Sequence, residues 1–480
     1  MTEHKTAFKP SLRLIDATMI VAGSMIGSGI FIVSTDIVRN VGSAGWLIAV
    51  WVITGLMTVM AAVSYGELSG MFPRAGGQYV FLKEAFNPIA GFLYGWSSFT
   101  VIQTATIAAV AVAFSRFTAY LIPEVGENVY LLTIGSFHIS AAQVLAIASI
   151  IFLTYTNTRG IKGGKIIQTT FTTVKLLSLF GLIILGFLLV KHSFWAENWE
   201  TGMQAMQLEK QNGGFVKDGN WFPIGGTVLI GAIAASMVGS LFSSDAWNNV
   251  TFIAGEIKNP QRNIGLSLFL GTLIVSVIYI TTNLMYLNAL SLQDIAYPGG
   301  DRVAVAASNA IFGSEGALVI AVMIMISTFG CNNGLILAGA RVYYTMAQDK
   351  LFFRRAATLN KNAVPARALW AQAIVASILC LSGGYNDLLD MIAFVVVIFY
   401  VLTIIGIFVL RKKRPDVSRP YKAFGYPIIP GLYIVMGLIF CVFLVIFKPL
   451  YTLWGLAIVL AGIPVYYLTI SGRNKNKHDN

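Results

Sequence analysis

Long apolar runs dominate this chain and restrict it to one broad class of fold. A helix needs roughly 17 to 25 apolar residues to cross a bilayer, and the chain has twelve runs of that kind. They lie at residues 15–38, 45–70, 89–121, 139–157, 166–190, 225–254, 264–290, 316–346, 367–383, 386–410, 427–447 and 451–471. The sequence therefore predicts an all-α polytopic membrane protein with twelve transmembrane helices, which we number as spans 1 to 12.

The composition agrees with this class. Only 11% of the 480 residues are charged and 56% are hydrophobic, whereas a soluble domain carries about 25% charged residues. The first run is too long for a signal peptide and has no cleavage signature, so we expect it to be retained. Cys331, Cys380 and Cys441 lie inside apolar runs and indicate packing residues, not disulfides. No cofactor or metal is expected, because the four histidines lie in the tails or at span ends.

The distribution of lysine and arginine predicts the orientation of the spans. Alternate loops place about 25 of these residues on one side and about 7 on the other, and the basic side is normally cytoplasmic. With twelve spans both termini are then cytoplasmic, and we expect the plasma (inner) membrane. The net charge of +12 is thus a topology signal and does not indicate nucleic-acid binding.

The middle of span 1 is poorly suited to a continuous helix. Residues 22–31 include Gly23, Gly27 and Gly29, and each glycine costs about 1 kcal/mol in a helix interior relative to alanine. An unpaired backbone N–H or C=O is costly inside a bilayer, so an opened segment is tolerated only where it faces protein, water or a ligand. These glycines therefore predict a binding site at mid-membrane.

Span 6 contains a second polar interruption. Residues 239–249 are small and polar, and Asp245 among them would cost about 3 kcal/mol at the membrane centre. Carriers often pair two broken helices at matching positions of inverted repeats, and span 6 follows span 1 by five spans. Ser243, Ser244 and Asp245 thus predict the second part of the site. The alternative is that Asp245 and Asn248 form a buried structural cluster, or that span 6 faces a wet cavity without touching substrate.

Lys175 is the other charge inside a predicted span. It lies about ten residues, or roughly 15 Å, into span 5, whereas a lysine stem reaches only about 6 Å. Its ammonium can hydrogen-bond the carbonyls of an opened span 1, a task that Na⁺ performs in sodium-coupled carriers. The alternatives are snorkelling and a pair with an unassigned carboxylate. Glu67, near the end of span 2, is interpreted as a structural partner for the following loop, with a proton carrier as the alternative.

Three motifs taken together resemble the amino acid, polyamine and organocation transporter superfamily. They are GSMIGSGIF at 23–31, YGEL at 65–68 followed by PRAGGQY at 73–79, and WN at 247–248 followed by EIKNPQRN at 256–263. Within this superfamily the chain is most similar to the L-type amino acid transporter family, in its bacterial form. The resemblance extends over essentially the whole membrane region.

The resemblance implies a fold like that of the leucine transporter. Two inverted five-helix repeats, in which spans 1 and 6 are broken, are followed by two further helices. The expected segments are a cytoplasmic tail at 1–14, the first repeat at 15–190, an external loop at 191–224, the second repeat at 225–410, a basic cytoplasmic loop at 411–426, spans 11 and 12 at 427–471, and a cytoplasmic tail at 472–480.

The resemblance also implies sodium-independent transport of L-α-amino acids by alternating access, with exchange as the expected mode. It implies a set of substrate-binding residues and one residue in place of a sodium ion. The set is Met25, Ile26, Gly27, Ser28, Gly29, Phe242, Ser243, Asp245 and Asn248, and the residue in place of sodium is Lys175.

Each of these residues has an implied role. Backbone N–H groups at 27–29 would hold the substrate carboxylate, because a half-helix N-terminus offers free donors and a positive dipole. Carbonyls at 25–26 and 242–243 would hold the ammonium. Phe242 would also serve as an aromatic gate, and Asn248 would tie span 6 to the substrate or to the gate.

Two departures from the family pattern bear on function. Asp245 stands where many members have a small residue, so its carboxylate can engage a cationic side chain, stay protonated or pair within the protein. Residues 123–138 lack the external cysteine that links animal members to a glycoprotein subunit, so no disulfide-linked heavy chain is expected. A proton-coupled symporter, with Asp245 or Glu67 as proton carrier, is the nearest alternative function. A channel or a membrane enzyme is more distant, because the sequence shows neither a polar stripe nor clustered His, Cys, Asp and Glu.

Overall fold

A computed structural model describes residues 12–73, 76–135, 137–159, 161–211, 214–217, 219–362, 364–382 and 385–478. Most of these residues are helical. The helices are α1 (Leu14–Met25), α2 (Ser34–Val41), α3 (Ala44–Met71), α4 (Gln78–Ala85), α5 (Pro88–Ser97), α6 (Gln103–Leu121), α7 (Ala141–Thr158), α8 (Ile161–Leu189), α9 (Trp195–Trp199), α10 (Gly226–Ser243), α11 (Asn249–Phe252), α12 (Pro260–Ala289), α13 (Leu292–Ala296), α14 (Val303–Phe312), α15 (Ser314–Gln348), α16 (Ala366–Ser382), α17 (Tyr385–Lys413), α18 (Ile428–Phe447) and α19 (Pro449–His478). Residues 1–11 and 479–480 of the predicted tails, and Arg74 and Ala75 of the second motif, lie outside the described residues.

The membrane-protein class predicted from the sequence is confirmed. Eight helices within the described part of the chain are long and apolar enough to cross a membrane. They are Ala44–Met71, Pro88–Leu121, Ala141–Thr158, Gly226–Ser243, Pro260–Ala289, Ser314–Gln348, Leu388–Lys413 and Ile428–Phe447. Predicted spans 1, 5, 9 and 12 coincide with shorter apolar helices, at Leu14–Met25, Thr173–Leu189, Ala366–Ser382 and Thr452–Leu468. The chain is thus a multi-pass helical membrane protein.

Small residues set the packing of the helices that surround α1. Gly271 of α12 lies against α1, where a Cβ added to it would stand 2.5 Å from a methyl of Val21. Gly55 of α3 also lies against α12, where a Cβ added to Gly55 would stand 3.0 Å from the Cβ of Ser276. Small residues let helix backbones approach closely in a membrane, so α12 is held between α1 and α3. This packing brings the α12 side chains to the break in span 1.

Short antiparallel hairpins occur in the connecting segments, and the sequence analysis did not predict them. β1 (Tyr130–Ile134) pairs with β2 (Phe137–Ser140), β3 (Met206–Leu208) pairs with β6 (Trp221–Pro223), and β4 (Lys210–Gln211) pairs with β5 (Gly214–Phe215). The last two hairpins form part of the segment predicted as a loop at 191–224. Met206 of β3 packs on the end of α2, where its carbonyl leaves no room for a Cβ on Gly42.

Candidate functional site

The backbone of span 1 opens at the predicted position. Helix α1 ends at Met25, and Ile26 is extended, with φ −71° and ψ 90°. A short 3₁₀ turn at Gly29–Phe31 then leads into α2. The interruption predicted from the glycines of residues 22–31 is therefore present.

The opened segment of span 1 presents backbone donors. Within the described part of the chain, no hydrogen bond has the N–H of Gly27, Ser28 or Gly29 as its donor. Ser28 is buried, and its hydroxyl shares a hydrogen bond of 3.1 Å with the hydroxyl of Tyr385. Unpaired N–H groups in a buried segment are rare and costly, and successive N–H groups at a helix start bind anions. The segment can therefore hold a carboxylate.

Span 6 is broken as well. Helix α10 ends at Ser243 and α11 begins at Asn249. Between them Ala246 has φ +63°, in the left-handed region that a residue with a Cβ adopts only at a cost of order 1 kcal/mol or more. Such strain persists where the surroundings impose it, and it is often found at ligand sites.

The two breaks touch each other. A Cβ on Gly29 would lie 2.6 Å from the Cβ of Ser243, so only glycine fits at this contact. The hydroxyl of Tyr279, from α12, lies 3.0 Å from the carbonyl oxygens of both Met25 and Ser243 and shares its one proton between them. One side chain thus joins the end of α1 to the end of α10.

A cavity with an empty volume of about 320 Å³ lies between the breaks, and we call it the central cavity. Both interrupted helices, together with α6 and α15, contribute to its wall. The lining residues are Ser24, Met25, Gly27, Ser28, Gly29, Thr106, Val110, Phe242, Ser243, Asp245, Ala246, Cys331 and Leu335. Seven of the nine predicted substrate-binding residues are in this set; Ile26 and Asn248 are outside it.

Lys175 reaches the break in span 1 from α8. Its side chain is buried, and its ammonium donates to the carbonyl of Gly23 and, at 2.9 Å, to the carbonyl of Ile26. The snorkelling alternative is wrong, because the ammonium ends on these backbone oxygens inside the protein. Among the residues that the structure describes, Lys175 makes no ion pair with a carboxylate. Its charge therefore stabilises the exposed carbonyl end of α1.

Asp245 lies where three cavities meet. It lines the central cavity, an apolar cavity that includes Met57, Ile392 and Val397, and a polar cavity that includes Gln103. Its carboxylate accepts a hydrogen bond from the hydroxyl of Tyr400. No ion pair involves Asp245 within the described ranges, so the structure gives it a hydroxyl partner and not a cation.

The aromatic ring beside Asp245 belongs to a buried cluster. The Tyr400 ring centroid lies 5.1 Å from that of Trp247 and 5.7 Å from that of Tyr65. The Tyr65 ring packs edge-to-face on Tyr400 and the Trp247 ring is tilted against it, and these contacts hold the Tyr400 hydroxyl beside Asp245.

Asn248 contacts neighbouring helices and lies outside the central cavity. Its amide donates to Gln78 Oε1 at 3.3 Å, and Gln78 Nε2 donates to Thr403 Oγ1 at 3.0 Å. Asn248 thus connects the break in span 6 to α4 and α17, on the wall of the polar cavity. Phe242 lies at the other end of the break, with its ring centroid 6.1 Å from that of Tyr385.

Glu67 has a structural role, but its partners lie in the predicted loop at 411–426 and not in the loop that follows span 2. Its carboxylate is buried and accepts from Arg411 Nε at 3.0 Å and Arg411 Nη2 at 2.6 Å. The backbone N–H of Ala423 donates to the same group at 2.8 Å. Glu67 therefore fixes the predicted basic loop at 411–426 against α3.

Sequence reasoning missed three side chains of the site: Tyr279, Tyr385 and Tyr400. Tyr279 and Tyr400 lie inside predicted spans and Tyr385 directly precedes predicted span 10, so each hydroxyl must find a partner because lipid offers none. A tyrosine deep in an apolar run is therefore a usable signal. The pattern does not reveal which carbonyl or carboxylate each hydroxyl reaches, because that depends on helix packing.

The fold and the site define a class. A multi-pass helical membrane protein whose two interrupted helices enclose a small cavity has the construction of a membrane carrier. The sequence matches the model of the amino acid permease family over residues 12–470, and the chain belongs to this family. The resemblance inferred from the three motifs is thereby confirmed. The family and its relatives are transporters, so the protein is not an enzyme.

Three similar proteins are amino acid transporters. The chain is 28% identical to mouse Asc-type amino acid transporter 1 over 475 residues, which cover 99% of this chain and 84% of the relative. It is 29% identical to human large neutral amino acids transporter small subunit 2 over 479 residues, covering 98% and 82%. It is 26% identical to human b(0,+)-type amino acid transporter 1 over 479 residues, covering 97% and 89%.

Proposed function

We propose that the protein is a sodium-independent secondary transporter of L-α-amino acids that works by alternating access and exchanges one amino acid for another. The observation that carries the proposal is the central cavity, where unpaired N–H groups of one broken helix face the carbonyl end of another. The names of the relatives support the substrate class, since each is an amino acid transporter.

The main-chain groups of the substrate are recognised by the two breaks. The carboxylate binds the N–H groups of residues 27–29, which also carry the positive end of the following helix. The ammonium binds carbonyls at 25–26 and 242–243. The carbonyls of Met25, Ile26 and Ser243 already accept one protein donor each, and every carbonyl oxygen has a second lone pair for the substrate.

Sodium independence follows from Lys175. Its ammonium occupies the place beside the Gly23 and Ile26 carbonyls that a bound cation would otherwise fill. Phe242 and Tyr385 act as an aromatic gate, because their rings pack edge to face and the Tyr385 hydroxyl is hydrogen-bonded to that of Ser28. Asn248 couples the break in span 6 to α4 and α17 as the gate moves.

The side chain of the substrate points toward Asp245, which supports a preference for substrates that carry a hydrogen-bond donor or a positive charge. The carboxylate accepts from the Tyr400 hydroxyl and from the backbone N–H of Ala246, and it retains acceptor capacity toward the cavity. An apolar isostere would leave that remaining capacity unused, which disfavours it relative to a substrate with a donor.

The proposed architecture is the twelve-span form of this family. Spans 1–5 and 6–10 form inverted repeats at 15–190 and 225–410, and spans 11 and 12 follow at 427–471. The excess of lysine and arginine supports cytoplasmic termini in the plasma membrane, with the 191–224 loop outside. The absence of cysteine from residues 123–138 supports function without a disulfide-linked heavy chain.

Proteoliposomes test the mode of transport. Purified protein is reconstituted with and without internal amino acid, and uptake of each of the twenty radiolabelled amino acids is measured both at equal pH and with an imposed pH gradient. Exchange predicts uptake that depends on internal substrate and is the same in sodium and choline buffers. Uptake that needs a pH gradient and ignores internal substrate would contradict it.

The second candidate function is a proton-coupled amino acid symporter. Asp245 favours it, because this half-buried carboxylate lines the central, apolar and polar cavities and forms no ion pair among the described residues. Glu67 does not favour it, since Arg411 pairs with both of its oxygens. Replacing Asp245 by asparagine separates the two functions: a symporter loses its response to an imposed pH gradient, whereas an exchanger keeps its counterflow.

A further inference from the structure

Another cavity lies beside the central cavity, a few residues further along the chain. Gly29 lines the central cavity, and Ile32 lines this other cavity, which has an empty volume of about 380 Å³. Its wall is formed by α2, α10, α17, the segment before α14 and the end of α18. Five charged residues contribute to it, and we therefore call it the charged cavity. They are Asp36, Arg39, Asp301, Asp390 and Lys448.

Four of these charges form two ion pairs. Arg39 Nη2 lies 2.7 Å from Asp301 Oδ1, and Lys448 Nζ lies 2.8 Å from each carboxylate oxygen of Asp390. Arg39 also donates to the Ala296 carbonyl at 2.8 Å. The lining thus holds three carboxylates and two cations, and Asp36 supplies the excess negative charge.

Two lining side chains make no hydrogen bond within the described part of the chain. The carboxylate of Asp36 accepts none, and the hydroxyl of Thr35 has no partner although Thr35 is only 1% exposed. A buried hydroxyl left unpaired is destabilising. Lys210 lies outside the lining: its charge interacts with that of Asp36, and its ammonium donates to Asn40 Oδ1 at 3.4 Å. A ligand with a hydrogen-bond donor and a positive charge would satisfy both groups.

We propose that the charged cavity is a second binding site for a free amino acid. Asp36 and Thr35 hold the ammonium, and Arg39 and Lys448 attract the carboxylate. A metal ion fits the lining less well, because those two cations would repel it, whereas a zwitterion needs both signs of charge. The proposal rests on the proposed function: in the topology given above, the cavity lies on the external route to the central cavity, where it would concentrate substrate.

Binding stoichiometry tests the proposal directly. Full-length protein in detergent is titrated at equilibrium with radiolabelled L-serine, L-leucine and L-lysine, one probe for each class of side chain. The wild type is expected to bind two equivalents of at least one probe per chain. Asp36→Asn and Thr35→Val are each expected to bind one equivalent at the same concentrations. Thr35→Val keeps the shape of the side chain, so it guards against a loss caused by misfolding.

Two further variants assign the sites. Glu124→Gln is the control: it removes an exposed carboxylate outside the charged cavity, and it should still bind two equivalents of ligand per chain. Gly29→Leu obstructs the central cavity where Gly29 contacts Ser243, so this variant should bind one equivalent of ligand. The double variant with Asp36→Asn should bind none. In proteoliposomes, Asp36→Asn should raise the KM for uptake about tenfold, as expected for one lost hydrogen bond to a charged group.

The failures are distinguishable. One equivalent in the wild type, with the same affinity in Asp36→Asn, would overturn the second site while leaving transport through the central cavity intact. Two equivalents that persist in both Asp36→Asn and Thr35→Val would also overturn it. A wild-type protein that neither binds nor transports any of the three probes would contradict the proposed function itself.

Discussion

Replacing Lys175 by methionine removes the ammonium from the break in span 1 and keeps most of the stem. Two hydrogen bonds are lost, to the carbonyls of Gly23 and Ile26, and both oxygens stay buried. Hydrogen bonds between helices in a membrane are worth about 0.6 kcal/mol on average and about 1.7 kcal/mol at most. Two of them amount to about 1.2 to 3.4 kcal/mol of support for the opened conformation.

That range converts into a measurable loss of transport. With a factor of ten for every 1.4 kcal/mol, kcat/KM should fall about 7-fold to 300-fold. The upper part of the range applies if the charge strengthens both bonds. The site residues themselves are unchanged, so the loss reports on how the break is held open and not on a missing contact to substrate.

The assay is the initial rate of amino acid uptake into proteoliposomes, over a range of substrate concentrations. Lys191→Met serves as the matched control, because Lys191 follows the same helix and is exposed. Thermal unfolding of both variants in detergent establishes that the protein is intact. A folded Lys175→Met variant with kcat/KM within twofold of wild type would refute the role assigned to the ammonium.

Three further predictions concern the contacts between the breaks. Tyr279→Phe removes the hydroxyl that joins the Met25 and Ser243 carbonyls, so kcat/KM should fall about 5-fold to 100-fold while the fluorescence-detected melting temperature changes little, since the ring is retained. Gly29→Ala should abolish most uptake, because its Cβ would lie 2.6 Å from the Cβ of Ser243; adding Ser243→Gly should restore part of it, and no recovery would argue against direct contact. Asp245→Asn should change the order of inhibitors in a competition assay with the twenty amino acids; an unchanged order would make Asp245 a structural residue.

The sequence predicted the breaks because their signal is local. Glycines at 23, 27 and 29 and the carboxylate at 245 conflict with a lipid-embedded helix wherever the neighbouring helices lie. Lys175 was detectable for the same reason, since a charge deep in an apolar run needs an explanation. These positions identify a site without any knowledge of the tertiary structure.

The partners of those residues could not be predicted, because they depend on how the helices pack. Tyr279 reaches the Met25 carbonyl only because α12 lies against α1 at Gly271 and Val21. The hairpins β3–β6 and β4–β5 also escaped prediction, since strands of two or three residues carry too little pattern to separate from a loop. Predicted span boundaries differ from the helices for a similar reason: the first turn of a span and the preceding loop have similar composition.

The donors around the central cavity suggest how the site distinguishes the two ends of an amino acid. The protein supplies its own donors to the carbonyls of the breaks, with Lys175 on Ile26 and Tyr279 on Met25 and Ser243. It supplies no acceptor, among the described residues, to the N–H groups of residues 27–29. The N–H groups of residues 27–29 are thus available to the proposed substrate carboxylate, whereas the proposed ammonium would share oxygens that already accept a protein donor. Recognition of the carboxylate should accordingly contribute more to affinity than recognition of the ammonium.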